Sequence, residues 1–443
     1  ALVPAEEQPY EVPENWVWTY ISSGFDVTSS KRVHKSDWLS EGIPFYRTRE
    51  LVKLSEQGYV DNELFISEDL YKTFKKEFGV PQKNDLLISG VGTIGVPYVI
   101  SDEKEFYFKD GNVIWLKNKG VFDASYMYYL YKTVFIDNQI HSMSAGTTVD
   151  TYTIINAKNT IIPLPPLSEQ QRIVERIEEL FAKLDEAKER LQEVADSFAV
   201  RKAAILHKAF TGELTKQWRR ENGVSDESWE ESNFGKFTVS QYGYTEKAHW
   251  EKIGPKFLRI TDIQDNKVDW DEVPWCPIDE DGMKQYAVEI GDIMIARTGA
   301  TTGKSYLICD DVEAVFASFL IRLKVVNKNL DYNYLYGYMQ SEDYWRQITD
   351  FSSGIAQPGV NASKLKQIKF KCPTLPEQHE IVRLIDDLLA RERAAQQAAE
   401  QALASIDLMK KSILARAFRG ELGTNKASEA SALKLLQQVL AEN

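Results

Sequence analysis

Two glycine-rich stretches hold the residue types and spacings that most readily suggest chemistry in this chain of 443 residues. Residues 90–95 spell GxGxxG after an apolar run, as in turns that hold a dinucleotide pyrophosphate at the start of a helix. Pro97 and the β-like VPYVI follow here instead of a helical pattern. The stretch GATTGKS at 299–305 falls one residue short of a phosphate-binding loop, because Thr298 stands where the first glycine belongs. We therefore expect both stretches to be structural loops and not nucleotide sites.

Side chains that act as nucleophiles, bases or metal ligands show no recognisable arrangement elsewhere in the sequence. The five histidines have neither HExxH nor another metal-ligand spacing, and no GxSxG elbow occurs. Sequence patterns typical of DNA methyltransferases and nucleases are also missing. The three cysteines, Cys276, Cys309 and Cys372, lack CxxC spacing, which fits a reducing cytoplasm. The sequence therefore predicts a cytoplasmic chain without a catalytic or metal site of its own.

The elements that would position any functional side chain occur twice. Two long segments align without gaps at a shift of 208 residues. They are LSEQQRIVERIEELFAKLDEAKERL, from Leu167, and LPEQHEIVRLIDDLLARERAAQQAA, from Leu375. The two copies end in AFTGEL and AFRGEL, and upstream LLISGVGTIG from Leu86 resembles IMIARTGATTG from Ile293. The whole chain is therefore a tandem duplication in which the helical stretches kept more likeness than the rest.

Both copies of the helical stretch have apolar residues at heptad spacing. The first keeps the spacing over more than three heptads, whereas the second is interrupted by Glu392 and thinned by alanines. The seam residues that we assign are Ile173, Ile177, Leu180, Leu184, Leu191, Ile381, Ile385, Leu388, Ile406 and Ile413. Each helix supplies the partner that the other needs, so we expect an intramolecular coiled coil. The relative direction of the two helices stays open at this point. A translational repeat would make them parallel, and a pseudo-twofold arrangement would make them antiparallel.

The segments between the helices have the pattern of compact α+β domains. Residues 14–165 and 226–372 mix β-like runs such as DLLISG and GDIMIAR with turns and short helical stretches. The predicted divisions are a first globular domain at 1–165, the first long helix and linker at 166–225, a second globular domain at 226–372, the second long helix at 373–422 and a C-terminal helical tail at 423–443.

The charge distribution is two-signed. The net charge of −13, taken alone, argues mildly against nucleic acid, because phosphate contacts need Lys and Arg. Acidic residues concentrate in helical stretches such as 175–193, however, whereas basic residues recur in the globular parts, for example at 31–53 and 247–259. This pattern is compatible with a molecule that binds DNA on one side and protein on the other.

The boundaries of the helical stretches carry a specific family resemblance. IPLPPLSEQQRIV, at 162–174, closely resembles the hallmark at which the first recognition domain ends and its helix begins in specificity subunits of type I restriction-modification systems. AFTGELTKQWRREN, at 209–222, resembles the end of the same region, and KCPTLPEQHEIV and AFRGEL repeat both more loosely. PENW, from Pro13 to Trp16, resembles the usual start of the first domain. The resemblance covers nearly the whole chain and is weakest in the globular parts.

The resemblance implies a non-catalytic DNA specificity subunit of a phage-defence complex. Each globular part would be a target recognition domain that reads one half of a bipartite DNA site, and the coiled coil would set the spacer. The implied partners are double-stranded DNA, two methyltransferase subunits and restriction subunits, with no membrane. S-adenosylmethionine, ATP and Mg would be bound by the partner subunits, and no cofactor by this chain. The predicted fold class is α+β: two globular α/β target recognition domains in tandem, separated by two long helices that form an intramolecular antiparallel coiled coil with pseudo-twofold symmetry.

Side chains that meet base edges in the major groove or contact phosphates are expected to be a few Arg, Lys, Asn, Gln or Thr residues of the globular parts. The candidate DNA-binding residues are Lys31, Arg32, Arg47, Arg49, Thr93, Arg259, Thr261, Arg297, Thr298, Lys304 and Gln357.

Two alternatives stay open at this point. The chain could be the specificity subunit of a type II-like system whose partner fuses methyltransferase and nuclease. It could also be a coiled-coil scaffold whose globular heads bind protein.

Overall fold

The chain alternates short strands with helices, and the computed structural model describes residues 2–144, 150–264, 266–352 and 359–442. Numbered along the chain, the strands are β1 Val17–Tyr20, β2 Phe25–Thr28, β3 Ile43–Tyr46, β4 Phe65–Ile66, β5 Leu86–Ser89, β6 Pro97–Val99, β7 Tyr107–Phe108, β8 Val113–Asn118, β9 Ile161–Leu164, β10 Glu230–Asn233, β11 Thr238–Tyr242, β12 Lys256–Leu258, β13 Ile263–Gln264, β14 Lys267–Val268, β15 Ile293–Ala296, β16 Ser305–Leu307, β17 Ala314–Phe316, β18 Leu320–Val325 and β19 Lys369–Cys372.

The α-helices range from single turns to a helix of 43 residues. They are α1 Ile21–Gly24, α2 Thr48–Gln57, α3 Glu68–Phe78, α4 Ala124–Tyr131, α5 Val134–Ser144, α6 Ile154–Asn159, α7 Leu167–Asp196, α8 Phe198–Phe210, α9 Lys216–Glu221, α10 Phe234–Phe237, α11 Glu280–Tyr286, α12 Tyr332–Tyr338, α13 Glu342–Ser352, α14 Ala362–Leu365, α15 Leu375–Ala417 and α16 Ala432–Glu442.

The chain forms two compact units that do not follow one another simply in sequence. The first unit comprises Ala1–Leu191 together with Gln401–Asn443, and the second comprises Gln192–Glu400. Each unit therefore contains one globular part and portions of both long helical stretches. Both ends of the chain belong to the first unit.

The first unit is built on an antiparallel sheet with the strand order β2-β8-β5-β6. Side chains of β5 alternate between two cores: Leu86 and Ile88 pack with the helices, whereas Leu87 packs on the opposite side with Leu51. A smaller sheet has the order β4-β3-β7, and β1 pairs antiparallel with β9. The main sheet thus has the core with α4 to α7 on one side, and α2 with the smaller β structure on the other.

The second unit repeats this plan with equivalent strands. Its main sheet has the order β11-β18-β15-β16, and β10 pairs antiparallel with β19. The parallel pair β12 and β17 corresponds to β3 and β7 of the first unit. Ile293 and Ile295 of β15 face the helices, whereas Met294 faces the smaller core, which is the same alternation as in β5.

The helices of the first unit run antiparallel. Asp185, in the middle of α7, lies 2.5 Å from Nζ of Lys410 in α15. Arg172, near the start of α7, instead pairs with Glu429, which lies beyond the end of α15. The start of α7 therefore lies near the end of α15, and later residues of α7 lie beside earlier residues of α15. Ile173 and Ile177 are fully buried in the core that also contains Leu414 and Phe418.

The second unit has the same antiparallel pairing. Arg201 of α8 forms an ion pair with Glu392 of α15, and Thr215, beyond α8, contacts Glu377 near the start of α15. The interruption that Glu392 makes in the heptad pattern is thus matched by a cation. Ile381 is fully buried, and Ile385 is nearly so. Together, the two equivalent α/β parts and the long antiparallel helices confirm the fold class that the sequence predicts.

Candidate nucleic-acid interface

Two buried polar residues fix the globular part of the first unit to the start of α7. Glu169 accepts hydrogen bonds from Trp16 Nε1 and Asn425 Nδ2, both at 2.8 Å. Burial raises the pKa of this carboxyl above its usual value, although the two hydrogen bonds act in the opposite direction. Gln170 accepts from the backbone N–H of Asp123 at 2.8 Å and donates to the carbonyl oxygen of Val121 at 3.1 Å.

The second unit repeats these contacts at the shift of 208 residues. Glu377 accepts from Trp229 Nε1 at 3.0 Å and from Arg219 Nη1 at 2.7 Å. Gln378 accepts from the backbone N–H of Asp331 at 2.8 Å and donates to the carbonyl oxygen of Asn329 at 2.9 Å. The Glu-Gln pair in LSEQQ and LPEQH is therefore a structural anchor. In the sequence, this Glu-Gln pair contributes only to the family resemblance. Its occurrence in both copies is the signal from which a structural role could have been predicted.

The two glycine-rich stretches are equivalent hairpin loops. The first joins β5 to β6 and the second joins β15 to β16, and both strand pairs are antiparallel, so a strand and not a helix follows each loop. Gly95 and Gly303 have φ of +79° and +88°. A Cβ at Gly95 would lie 2.7 Å from Ile140 Cδ1, and one at Gly303 would lie 2.6 Å from Ile348 Cγ2. These glycines thus permit helices α5 and α13 to pack closely against the loops.

Two candidate arginines of the first unit are held by carboxylates of their own unit. Arg47 caps α2 and donates from Nη2 to Glu50 Oε1 at 2.8 Å, while Arg49 bonds the same carboxylate and Glu63. Burial acts to raise the pKa of Glu50, but the hydrogen bonds from Arg47 and Arg49 outweigh it and hold the pKa below its usual value. The structure therefore gives both arginines an internal partner.

The remaining candidates of the first unit are exposed. Lys31 lies 4.7 Å from the ring centroid of Phe78, and Arg32 follows it on the surface. Thr93 is exposed in the loop between β5 and β6, and its carbonyl oxygen accepts from Ser89 Oγ.

Arg259 of the second unit repeats the arrangement of Arg47. It donates from Nη2 to Asp262 Oδ1 at 2.7 Å, three residues ahead, and its guanidinium lies 5.7 Å from the ring centroid of Trp250. Thr261, which lies between Arg259 and Asp262 in the sequence, is exposed. The spacing Arg-x-x-acid occurs in both copies, so the sequence did hold a signal for this pairing.

Arg297 differs from Arg47, Arg49 and Arg259 because it makes no ion pair with any residue of the described ranges. Its Nη1 donates to the carbonyl oxygen of Ser318 at 3.3 Å, and its guanidinium lies 5.0 Å from the ring centroid of Tyr242. The half-buried side chain is thus positioned while its charge keeps no carboxylate partner. Thr298 and Lys304 share its loop, and Lys304 is exposed. Gln357 lies outside the described residues.

Exposed aromatic side chains are a feature of the second unit that sequence reasoning missed. Trp250 is 67% exposed and Phe319 is 57% exposed, and Phe319 accepts a backbone hydrogen bond from Arg297. Aromatic faces beside cations suit contacts with bases and sugars. Their exposure has no signature in the sequence, because both residues lie in connections between strands, where no periodic pattern separates buried from exposed positions.

In the described part of the chain, no three His, Cys, Asp or Glu side chains come together as metal ligands. None of the helices in those ranges combines the length and apolar character that crossing a bilayer requires.

Comparison with known protein families gives two matches, each over one globular part and much of the long helical stretch that follows it. The family described as "Type I restriction modification DNA specificity domain" matches residues 13–196 and again residues 227–402. A curated relative, the type I restriction enzyme EcoBI specificity subunit of Escherichia coli, is 24% identical over 445 residues, covering 95% of this chain and 90% of the relative. The EcoKI specificity subunit of Escherichia coli K12 is 26% identical over 335 residues, 72% of each chain.

Solved structures show a similar fold. The HsdS subunit from Thermoanaerobacter tengcongensis superimposes with a TM-score of 0.69 at 19% identity, covering 94% of this chain and 99% of that one. A chain from a structural study of assembly and conformational transition of the type I R-M system has a TM-score of 0.63 at 19% identity, with 93% and 100% covered.

Proposed function

The chain belongs to the type I restriction-modification DNA specificity family, and from this membership we propose that each of its two units reads one half of a bipartite DNA site. The observation that carries the proposal is that the family's DNA specificity domain matches twice, at residues 13–196 and 227–402. Two different readers on one chain suit an asymmetric site with two different halves. Linking them also raises affinity through effective concentration.

Differences between equivalent positions support two separate specificities. Gly90 and Arg297 occupy the same place in the two units: Gly90 donates its N–H to Asn112 O, and Arg297 donates its N–H to Phe319 O. The carbonyl oxygen of each also accepts one backbone hydrogen bond, from Tyr152 and Val360 respectively. The same scaffold therefore carries a bare backbone in the first unit and a guanidinium in the second, so the two surfaces offer different donors.

Arg297 is the candidate that we place foremost among the residues that contact DNA. Its guanidinium is held by Ser318 O and the Tyr242 ring, and it keeps unused donors in the absence of an ion pair within the described ranges. A guanidinium of this kind matches the two acceptors of a guanine edge or a phosphate. Thr298 and Lys304 in the same loop would add contacts to the backbone of the duplex.

Arg47, Arg49 and Arg259 have a different proposed role. Their side chains donate to Glu50 or Asp262, which are almost completely buried. Withdrawing Arg259 to bind DNA would leave the carboxylate of Asp262 without its cation, and withdrawing Arg47 or Arg49 would remove hydrogen bonds from the carboxylate of Glu50. We propose that they fix the surface from which exposed Lys31, Arg32, Thr93 and Thr261 contact the duplex.

The chain is proposed to act without catalysis of its own, as part of a larger complex. Methyltransferase subunits would dock on its helices and bring S-adenosylmethionine, and restriction subunits would bring ATP-driven translocation and cleavage. The helices, whose antiparallel pairing occurs within each unit, would set the length of the unread spacer between the half-sites.

An electrophoretic shift assay tests the DNA-reading function. Random-sequence duplexes are incubated with the full chain, with and without a co-expressed methyltransferase subunit, and bound duplexes are sequenced. We expect enrichment of a two-part sequence in the bound fraction. Absence of any sequence-selective complex, even with the methyltransferase subunit, would contradict the proposal and favour a protein-binding scaffold.

A further inference from the structure

An open groove lies in the second unit between the end of α8, helix α13 and the strand pair β10–β19. It has a volume of about 680 Å³. Its floor is formed by Leu206, Phe210, Tyr338 and Phe370, and carboxylates of Glu231, Glu342, Asp343 and Asp350 line it together with His207, Thr211, Arg346, Lys369 and Lys371.

The equivalent place in the first unit is filled by the N-terminal segment of the chain. Val3 donates its N–H to the carbonyl oxygen of Trp18 at 3.0 Å, so the segment adds to the free edge of β1. The ring of Tyr10 lies 4.8 Å from that of Trp18 and 5.5 Å from that of Phe135. Its hydroxyl donates to the carbonyl oxygen of Phe418 at 3.0 Å.

The strand and helix registers assign each of these contacts to a residue of the open groove. β1 and β10 start at Val17 and Glu230, so Trp18 corresponds to Glu231. Helices α5 and α13 start at Val134 and Glu342, so Phe135 corresponds to Asp343. The motifs AFRGEL and AFTGEL make Phe418 equivalent to Phe210 and Arg419 equivalent to Thr211. All four counterparts, Glu231, Asp343, Phe210 and Thr211, line the groove.

The groove also borders a free strand edge. Among the described residues, β10 pairs with β19 on one side and with no strand on the other. In the first unit, the corresponding edge of β1 receives Leu2 in an antiparallel bridge to Thr19. An unpaired edge beside a groove is the geometry in which extended peptides are bound by strand addition.

The chemistry of the two places differs. Where Tyr10 meets two aromatic rings and Arg419, an occupant of the groove would meet two carboxylates and a threonine hydroxyl. The side-chain carboxylates of Glu231 and Glu342 make no hydrogen bond or ion pair with other described residues, whereas that of Asp343 already accepts from Tyr338 Oη at 2.6 Å and pairs with Arg346. Lys369 and Lys371 of β19 also line the groove, and Lys371 is the strand partner of Glu231.

We propose that this groove binds an extended segment of a partner protein, which adds antiparallel to β10 and places an arginine where Tyr10 lies in the first unit. The aliphatic part of the arginine would cover Phe210 and Tyr338, and its guanidinium would bond to Glu231 and Asp343. The N-terminal segment of a second copy of this chain is a poor occupant, because its Glu6 and Glu7 are acidic and its Tyr10 suits aromatic neighbours. The proposal goes beyond DNA reading and does not depend on it.

Synthetic peptides test the groove on the full chain. A fluorescein-labelled copy of residues 1–10, ALVPAEEQPY, is compared with ALVPAQQQPR, in which glutamines replace both glutamates and an arginine replaces the tyrosine. Fluorescence anisotropy measures their binding. We expect the arginine peptide to bind more tightly than the tyrosine peptide, and Glu231→Arg to weaken it by about tenfold or more. Glu230→Arg, with the same charge change on the same strand but outside the groove, is the matched control and should leave binding unchanged.

Other results overturn the proposal. Failure of the arginine peptide to bind, equal affinity for the wild type and Glu231→Arg, or tighter binding of the tyrosine peptide would each do so. Circular dichroism shows whether Glu231→Arg is folded; if it is not, Asp343→Asn replaces it and carries the same expectation. Because no DNA is present, the outcome is separate from the test of the DNA-reading function.

Discussion

Trp16 Nε1 donates a hydrogen bond of 2.8 Å to the buried carboxylate of Glu169. The two residues lie 153 positions apart and join the start of the first globular part to the first turn of α7. Trp229 and Glu377 form the same contact in the second unit at 3.0 Å. The hallmark at the start of each helix therefore works as an anchor for the globular part.

Replacing this tryptophan should destabilise the first unit. Trp16→Phe keeps most of the apolar contact but leaves Glu169 with one hydrogen bond fewer, so the free energy of unfolding should fall by about 1–3 kcal/mol. Urea denaturation measures the change. Trp270→Phe is the control, because Trp270 Nε1 bonds to Asp310 at an exposed position and the variant should lose less than about 0.5 kcal/mol. Equal losses in the two variants would contradict the anchoring role.

The carboxyl of Glu50 gives a prediction for pH dependence. Burial acts to raise its pKa, but hydrogen bonds from Arg47 and Arg49 give a net pKa below the usual value. A carboxylate of this kind stabilises the fold above its unfolded pKa of about 4.3, and the stabilisation is lost as the pH falls through the lower folded value.

The stability difference between wild type and Glu50→Gln should therefore be largest near neutral pH, at about 1–3 kcal/mol, and should shrink below about pH 4. Urea denaturation across this range measures it. Glu68→Gln serves as the control, because Glu68 and Lys72 form an ion pair with both side chains more than two-thirds exposed. A stability difference between wild type and Glu50→Gln that grows as the pH falls would contradict the predicted pH dependence.

Removing Arg297 should affect DNA binding more than folding. Arg297→Ala should lower the affinity for the target by about tenfold or more and relax selectivity at one half-site, because a guanidinium contact to a base pair is lost. Arg259→Ala should instead lower the free energy of unfolding, since it leaves Asp262 without its cation. Binding assays with the methyltransferase complex and urea denaturation separate the two effects. Unchanged affinity of Arg297→Ala for DNA would remove it from the interface.

Lengthening the paired helices should change the spacer alone. Arg201 meets Glu392, so Ala199 and Ala395 lie at matched heights of the antiparallel pair in the second unit. Inserting seven residues at each position keeps the heptad register and adds about 10 Å of helix. We expect the preferred spacer to lengthen while both half-sites persist, as read by sequencing of bound duplexes. An unchanged spacer would refute the proposal that the helices set it.

The long helices and the duplication could be predicted from sequence because both leave periodic signals. The heptads identified Ile173 and Ile381, which are fully buried, and the antiparallel pairing explains why Glu392 is tolerated opposite Arg201. Toward the end of α15, the buried positions no longer coincide with the heptad positions. Leu414 is 5% exposed, whereas Met409, which lies at a heptad position between Ile406 and Ile413, is 48% exposed. Straight helices gradually depart from an ideal heptad, which accounts for this drift.

The surface of the globular parts was less accessible to sequence reasoning. The sequence does not distinguish an arginine that is paired with a carboxylate from one that is not. Arg259 forms an ion pair with Asp262, whereas Arg297 lies beside the ring of Tyr242. The role of Tyr10 also required the fold, because its partner Phe418 lies 408 positions away. Pairings over such distances leave no periodic trace in a single sequence.

Methylome sequencing of a host that expresses the chain with its methyltransferase partner tests the central claim most directly. The account predicts methylation of one asymmetric motif in two parts, separated by an unread spacer of fixed length, and present only when this chain is expressed. Methylation that is independent of the chain, or a single undivided motif, would contradict it.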